Sequence, residues 1–560
     1  MSSTVPSLRD ITVKNAVKHF KSGTLTSAHL VRAYLSRIVE IDDEFNSVIE
    51  TNPDALTAAQ AQDAERAIGN IKSPLQGLPI LLKDNIPTLD NTDTTCGSLA
   101  LVGAKPKQEA AVVTALRKAG FVILGKANMA QWVGFRSTSG CSGWSARGGQ
   151  TYGPFVRGSK ASGSSSGSAV ATALGLCFAA IGTETCYSIV SPAEKSGIVG
   201  YKPTKDLIPS EGIIYASKTQ DTVGLLTRTV EDAVQITSLL IVNSGNHSTL
   251  RNLSIEKQQR FLNDLPKAIH SKETSLAGIR LGLPLDLIRS ENPPECKLEA
   301  FGRALFRMET RGAKVVNNVI VQGWCEYEAL TQEEKQVVLD TDMKLAIEDY
   351  LVNLETNPHN IKSLQHLIDF TKTHPEEEYP TRNAVGLERA QATDPNGDLY
   401  LRMVEKDRFF AECIQNTLDR YECDVLLIPT LSTTLQTFAA KAGSPVISVP
   451  IGIYPDKSPV EIDSKNGLIA SAPGIPLSVF VFGRAYDDPS VLKIGHAIEL
   501  AMRFPLNPAS YRAPRGLSID LNIRSDLREF SFVLDLVFTW EAPFARLRVF
   551  LVQLGAAALR

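Results

Sequence analysis

Residues 162–188 read SGSSSGSAVATALGLCFAAIGTETCYS, and this stretch decides the fold. Its first seven residues are all serine or glycine, and the small residues that follow, 168–176, favour a helix. The apolar run 174–181 is typical of a buried strand, and it ends in a turn that displays Ser188. The segment therefore predicts a Ser/Gly-rich loop, a helix, a buried strand and a displayed serine, in that order.

The sequence on either side extends this alternation. Residues 9–70 carry apolar stripes at helical spacing and predict two or three surface helices, and residues 110–119 predict another. Short apolar runs predict buried strands at Gly77–Lys83, Phe121–Gly125, Val425–Ile428, Val446–Val449 and Leu477–Phe482. Alternating strands and helices favour a layered α/β fold.

Composition excludes several classes of protein. The 560 residues are 43% hydrophobic and 21% charged, with a formal net charge of −3, so no basic field for nucleic acid is expected. The N-terminal ten residues lack the apolar core of a secretory signal, and no apolar stretch reaches the roughly 18 residues of a spanning helix. Eight cysteines without a Cys-x-x-Cys pair argue against a zinc site or a disulfide framework. A cytoplasmic protein with reduced thiols is expected.

Lys83 and Ser188 are the first candidates for chemistry. Lys83 ends a buried strand, where a lysine either reaches out to solvent or loses solvation and becomes a base. Ser188 needs a base to take its proton before it can act as a nucleophile. Because residues 30–245 contain no histidine, that base must be another residue, and lysine is a known substitute.

The Ser/Gly-rich loop allows three interpretations. It resembles a flexible linker in composition, but it runs directly into a helix, whose N-terminal N–H groups suit an anion. It also contains Gly-x-Ser-x-Gly centred on Ser165, the spacing of a nucleophile elbow. That elbow should follow a buried strand, and residues 155–162 do not have the pattern of one.

Taken together, these segments resemble the amidase signature family, whose hallmark is a Ser–cis-Ser–Lys triad. Lys83 takes the position of the lysine, Ser164 that of the bridging serine, and Ser188 that of the nucleophile, 24 residues later. Other segments are similar to the branch that contains peptide amidases and many fungal amidases: 142–151, 182–184, 189–190 and 220–224. Residues 444–452 and 473–483 are also family-like, so the resemblance spans roughly residues 8–515.

The resemblance implies one large α/β domain over residues 8–515, with a mixed, twisted central sheet flanked by helices. It implies that residues 240–425 form a helical insertion over the pocket and that residues 516–560 are an atypical C-terminal extension. No metal and no organic cofactor is implied. Neutral Lys83 would draw a proton from Ser164, which in turn would deprotonate Ser188.

The same resemblance implies supporting roles around the nucleophile. Backbone N–H groups from Thr185 to Ser188 would hold the oxyanion, and Ser165 would support Ser164 by hydrogen bonding. The chain departs from the family here, because Cys186 and Tyr187 stand where the family has Gly or Asp and then glycine. Tyr187 either lines the substrate pocket or closes the oxyanion hole. Cys186 raises the idea of a thiol nucleophile, although nothing adjacent would lower its pKa.

Ser191, Glu194 and Lys195 also replace the small and apolar residues that are usual after the nucleophile. They add polar and charged side chains to a segment expected to be buried.

The leading prediction is a serine hydrolase that cleaves a carboxamide C–N bond of a small organic or peptide-amide substrate through a Ser188 acyl-enzyme. The alternatives are a repurposed family member performing another acyl transfer, cyclisation or ester cleavage, and a binding protein with weakened catalysis. An amidotransferase subunit acting on aminoacyl-tRNA is disfavoured, because no basic surface is expected. The oligomeric state is left open, a homodimer included. Residues 516–560 would form a docking helix, a membrane-surface helix or an unfolded extension.

Overall fold

The computed structural model describes residues 7–137, 142–269, 275–504 and 509–513. Its helices are α1 Val13–Lys21, α2 Ser27–Ile41, α3 Ala55–Ala67, α4 Ala111–Ala119, α5 Ser166–Leu174, α6 Val190–Lys195, α7 Val230–Asn243, α8 Ile255–Lys267, α9 Leu285–Ser290, α10 Glu295–Glu309, α11 Trp324–Glu328, α12 Gln332–Val352, α13 Leu364–Thr373, α14 Val385–Gln391, α15 Asp398–Arg420, α16 Thr433–Ala442 and α17 Asp488–Met502. The predicted alternatives for residues 516–560 lie outside the described residues.

The strands are β1 Val48–Thr51, β2 Pro79–Lys83, β3 Lys105–Pro106, β4 Val122–Ala127, β5 Trp144–Ser145, β6 Gly149–Gln150, β7 Ala179–Glu184, β8 Val199–Lys202, β9 Thr222–Thr227, β10 Arg280–Gly282, β11 Lys314–Val316, β12 Leu354–Thr356, β13 Val425–Ile428, β14 Val446–Ile453, β15 Glu461–Ile462, β16 Ile469–Ser471 and β17 Pro476–Phe482. Eleven of them form one sheet in the order β1-β4-β2-β7-β9-β8-β14-β17-β13-β10-β11. The sheet is mixed: the pairs from β7 to β13 are antiparallel, whereas β4-β2-β7 at one side and β13-β10-β11 at the other are parallel. The predicted α/β class with a mixed central sheet is confirmed.

The predicted strands are present in this sheet, with bounds that shift by a few residues. Each is almost completely buried, as β2, β4 and β7 illustrate. Helix α5 packs against β7, β2 and β4, and α17 packs against β14. The sequence prediction missed β1, a strand of four half-buried residues between two helices. Its residues, Val-Ile-Glu-Thr, form neither a continuous apolar run nor an alternation of apolar and polar residues.

Residues 240–425 are mainly helical, but they also contribute strands β10 and β11 to the edge of the central sheet. These strands have three residues each, which is too short to give a recognisable apolar run. Other residues of this range, on α12, α13 and α14, form a second hydrophobic core with residues near 100 and 130. This second core packs part of the helical segment against the loops that carry the candidate site.

Among the described residues, no helix has both the length and the apolar character needed to cross a membrane.

Candidate functional site

Two neighbouring parallel strands place the candidate lysine. Leu82 of β2 pairs with Ile181 of β7. Lys83 is one residue beyond this pair and Thr183 two residues beyond it, so both lie at the same edge of the sheet. Lys83 Nζ lies 2.8 Å from Thr183 Oγ1 and 3.0 Å from the Thr183 carbonyl oxygen. The Asn85 side chain donates to the same hydroxyl at 3.1 Å. These contacts fix the lysine amine in one position.

The third neighbour of Lys83 Nζ is Ser164 Oγ, at 2.7 Å. The lysine side chain is completely buried, and this burial lowers its pKa to about 7. A neutral amine has two N–H groups and one lone pair. The two oxygens of Thr183 can accept the two N–H groups, which leaves the lone pair for the Ser164 hydroxyl. The arrangement therefore suits a base that takes the proton of Ser164.

A non-proline cis peptide joins Gly163 to Ser164 at the end of the Ser/Gly-rich loop, directly before α5. Ser165 ties this loop to β7, because its hydroxyl donates to the Thr183 carbonyl oxygen at 3.0 Å. Gly182 permits the close approach, since a Cβ there would lie 2.9 Å from Ser165 Oγ. The loop is thus held against the strand end that carries Thr183. Ser165 itself does not follow a strand, so the nucleophile-elbow interpretation lacks its expected context.

Ser188 follows β7 and lies beside the same loop. The backbone N–H of Ser165 donates to the Ser188 carbonyl oxygen at 3.0 Å, and Ser164 and Ser188 both line one cavity. No hydrogen bond joins the hydroxyls of Ser164 and Ser188 in the part of the chain that the structure describes, where Ser164 Oγ is bonded to Lys83. Catalytic hydrogen bonds in enzymes without substrate are often long and tighten on binding.

The loop from Thr185 to Ser188 carries free backbone donors. The N–H groups of Cys186, Tyr187 and Ser188 meet no acceptor in the part of the chain that the structure describes, and all three residues line the cavity. Thr185 is anchored through its hydroxyl, which donates to Asp221 Oδ1 at 2.6 Å. Asp221 directly precedes β9, which pairs with β7, so the sheet register brings the two residues together. The loop can therefore present N–H groups to an oxyanion.

Glu184 holds the other end of this loop. Its buried carboxylate accepts the backbone N–H groups of Ile189 at 2.6 Å and Val190 at 3.0 Å, directly after the nucleophile. Burial raises the pKa of this carboxyl, while Lys202 and these N–H groups act in the opposite direction. The loop is thus fixed at both ends, by Asp221 and by Glu184.

Tyr187 occupies its position without backbone strain. Its φ is not in the left-handed region, so the loop here does not require glycine. The side chain is 46% exposed and lines the cavity. Burial raises the pKa of the neighbouring Cys186 thiol to about 12, which opposes a thiolate nucleophile.

The three polar departures after the nucleophile are each satisfied. Ser191 Oγ lies 2.6 Å from Ser162 Oγ, and Lys195 Nζ donates to the Ala470 carbonyl oxygen at 2.8 Å. Glu194 forms a buried ion pair of 2.7 Å with Lys297 of α10. These residues bind α6 to its surroundings.

A cavity of about 490 Å³ opens at the candidate triad. Its lining includes Ser164, residues 185–188, the first two turns of α12 and one face along the length of α16. Side chains from the 463–466 turn complete part of the wall. The cavity is large enough for an extended small molecule or a short peptide end.

Of the three predicted triad residues, Lys83 and Ser164 are in direct contact, and Ser164 and Ser188 line one cavity. The sequence prediction missed the supporting groups Thr183, Asn85 and Asp221. Thr183 and Asp221 belong to family-like segments, and Asn85 lies two residues after Lys83. Their contacts span about 100 residues or cross a strand pair, so no local pattern indicates them.

The chain is similar over most of its length to known proteins. The family model described as Amidase matches residues 29–492. A putative amidase of Arthroderma benhamiae is 36% identical over 488 residues, covering 86% of this chain and 80% of that protein. A putative amidase of Schizosaccharomyces pombe is 31% identical and covers 90% of this chain and 87% of its own length. The crystal structure of peptide amidase from Stenotrophomonas maltophilia aligns with a TM-score of 0.76 at 32% identity, over 90% of this chain and 99% of that one.

Proposed function

The chain belongs to the Amidase family, and from that membership we propose that Ser188, Ser164 and Lys83 are its catalytic triad for hydrolysis of a carboxamide C–N bond. The observation that carries the proposal is the 2.7 Å contact between Ser164 and a buried Lys83 whose pKa is lowered to about 7. A lysine with that pKa is neutral in half of the molecules near neutral pH, so it can both accept and return a proton.

Catalysis begins with two proton transfers. Lys83 Nζ takes the proton of Ser164 Oγ as Ser164 Oγ takes that of Ser188, and Ser188 Oγ attacks the amide carbonyl carbon. The protonated lysine then returns its proton through Ser164 to the leaving nitrogen, and the C–N bond breaks. Water hydrolyses the resulting Ser188 ester by the same route, which restores the free enzyme.

The free N–H groups of Cys186, Tyr187 and Ser188 are proposed to hold the oxyanion of each tetrahedral intermediate. Such a donor is worth about 3 kcal/mol in the transition state when it is already in position. Asp221 and Glu184 provide that positioning, because they anchor the two ends of the loop.

We propose that the substrate is a small organic amide or a peptide amide. The size of the cavity supports this class, and so does the likeness to a peptide amidase. We further propose that residues 8–515 act as one catalytic domain and that helices from residues 240–425 close over the substrate. Tyr327 and α12, both in that range, contribute to the cavity lining.

Ammonia release from a panel of carboxamides and peptide amides, measured between pH 5 and pH 9, tests this function. The family activity predicts hydrolysis of at least one class. Because Lys83 must be neutral to act, kcat/KM should rise with pH through about 7 and then level off. A rate that falls as pH rises through 7 would contradict the assignment of Lys83 as the base.

Replacing Tyr187 with glycine should broaden substrate range rather than create activity. The ring lines the cavity beside the nucleophile, so its removal should favour amides with a bulky group next to the carbonyl by about tenfold over small ones. The ratio of kcat/KM for a branched and an unbranched amide measures this effect.

Tyr187→Phe is the matched control, because it keeps the ring and should keep the wild-type ratio. A large gain in Tyr187→Gly on every substrate, small ones included, would instead mean that the tyrosine obstructs the oxyanion hole.

A further inference from the structure

The cavity has an unusual charge. Five cationic side chains line it, and only one carboxylate does so among the described residues. We propose, resting on the amidase function above, that the substrate carries a carboxylate or a similar anionic group in addition to the scissile amide, and that these cations bind it. The cations are Lys160, Lys335, Arg389, Lys441 and Lys465, and the carboxylate is Asp463.

One of the five is neutralised within the cavity wall. Lys160 Nζ lies 2.5 Å from Asp463 Oδ2, so this pair adds no net charge to the cavity. The Asp463 carboxylate also accepts the backbone N–H of Lys465 at 2.9 Å. The four other cations have no acidic partner among the lining residues.

Two cations form ion pairs with acidic residues that do not line the cavity. Arg389 makes a two-pronged contact with Asp340, at 2.5 and 2.9 Å, and Lys441 pairs with Asp407 at 2.5 Å. These partners hold the two side chains in place and compensate most of their charge, as Asp463 does for Lys160. The two carboxylates lie outside the cavity lining, so the remaining N–H groups of Arg389 and Lys441 can still donate to a ligand.

The other two cations are more weakly compensated. Lys335 Nζ lies 3.4 Å from the carboxylate of Glu328, and because that carboxylate is half-exposed, solvent screens the pair. Lys465 is exposed and makes no ion pair within the described ranges. The N–H groups of these two lysines are therefore available to donate charge-assisted hydrogen bonds to a carboxylate in the cavity.

The positions of these residues on their helices explain how the sequence builds this wall. On α12 the lining residues are Gln332, Lys335, Gln336 and Leu339, and on α16 they are Thr433, Thr437 and Lys441. Both sets follow the spacing of one helical face. A helical face over a neutral, apolar ligand would carry apolar residues, whereas these two faces carry, apart from Leu339, polar groups and cations. Charge of one sign concentrated in a cleft attracts a ligand of the opposite sign.

Lys441 also places positive charge near the proposed nucleophile. Its charge acts on the Cys186 thiol, two residues before the nucleophile, and opposes the effect of burial on the pKa of that thiol. The anionic group of the substrate would thus bind within the same cavity as the reacting carbonyl, and not at a remote surface.

The test compares two primary amides that differ by one charge: N-succinyl-leucinamide and its methyl ester at the succinyl carboxylate. The wild type should show a kcat/KM for ammonia release at least about tenfold higher on the acid, as expected for a charge-assisted hydrogen bond. That preference should shrink when NaCl is raised to 0.5 M, because salt screens the attraction.

Lys335→Gln, Lys465→Gln and the double variant should lower the acid-to-ester ratio, with the largest fall in the double variant. Lys118→Gln is the matched control, because it removes the same charge from an exposed site on α4 that does not line the cavity. Its ratio should equal that of the wild type.

Binding to Ser188→Ala separates this proposal from the amidase function. A lower Kd for the acid than for the ester would support the anionic substrate, even if neither compound were hydrolysed. Equal Kd values together with an equal or inverted kcat/KM ratio in the wild type would overturn it. Hydrolysis of the neutral ester in that case would leave the amidase function standing.

Discussion

Replacing Ser188 with alanine is expected to lower kcat for carboxamide hydrolysis by at least about 10⁴-fold. The reason is that no acyl-enzyme can form without the Ser188 hydroxyl, while the cavity and the N–H groups of its loop remain in place. Cys186 cannot substitute, because burial raises the pKa of its thiol to about 12. Ammonia release on the best amide of the panel measures the loss.

The control is Ser238→Ala. This serine lies on α7 and donates only to the Val234 carbonyl oxygen of its own helix, so full activity is expected. Substantial activity in Ser188→Ala, with the fold intact by circular dichroism, would show that another residue is the nucleophile.

Replacing Lys83 with alanine is expected to lower kcat by about 10³-fold, which is the contribution typical of a positioned general base. Its Nζ is the amine in contact with Ser164, and the two oxygens of Thr183 cannot replace it as a base. The rise of kcat/KM through about pH 7 should disappear with it. The pH profile of residual activity therefore distinguishes loss of the base from general damage to the site.

Lys126→Ala is the matched control for Lys83. Lys126 is another fully buried lysine and lies on β4, in register with Leu82 of β2. Its Nζ donates to Thr94 and to the Ile86 carbonyl oxygen and does not contact the triad. The folded fraction of this variant should keep the pH profile of the wild type. Loss of the pH step in Lys126→Ala, and its survival in Lys83→Ala, would contradict the assignment.

Two residues of the proposed triad could be singled out from local patterns, because Lys83 ends an apolar strand and Ser188 follows another. Ser164 was assigned only through the resemblance to the amidase signature family, since the local pattern of its loop is centred on Ser165. The main strands were also predictable from local patterns. An apolar run of several residues has few other ways to be buried than in a sheet covered on both faces.

The supporting groups could not be predicted in this way. Asp221 reaches Thr185 only because β9 pairs with β7, and nothing near Asp221 in the sequence indicates that pairing. The sequence also could not show whether Tyr187 strains the loop. Only its backbone φ, which is not in the left-handed region, shows that a tyrosine fits there.

The cations of the cavity were missed for a related reason. Lys335, Arg389, Lys441 and Lys465 come from four separate elements, and on each element a single cation looks like ordinary surface charge. They line the same cavity only because elements that are distant in the sequence pack together. Short strands such as β10 were missed because three residues carry too little pattern.

The most direct test of the central claim, that Ser188 is an activated nucleophile beside a working oxyanion loop, is labelling with a fluorophosphonate read by intact mass. The wild type should gain one adduct that maps to Ser188, and Ser188→Ala should gain none. An unlabelled wild type, or an adduct that persists in Ser188→Ala, would contradict the claim.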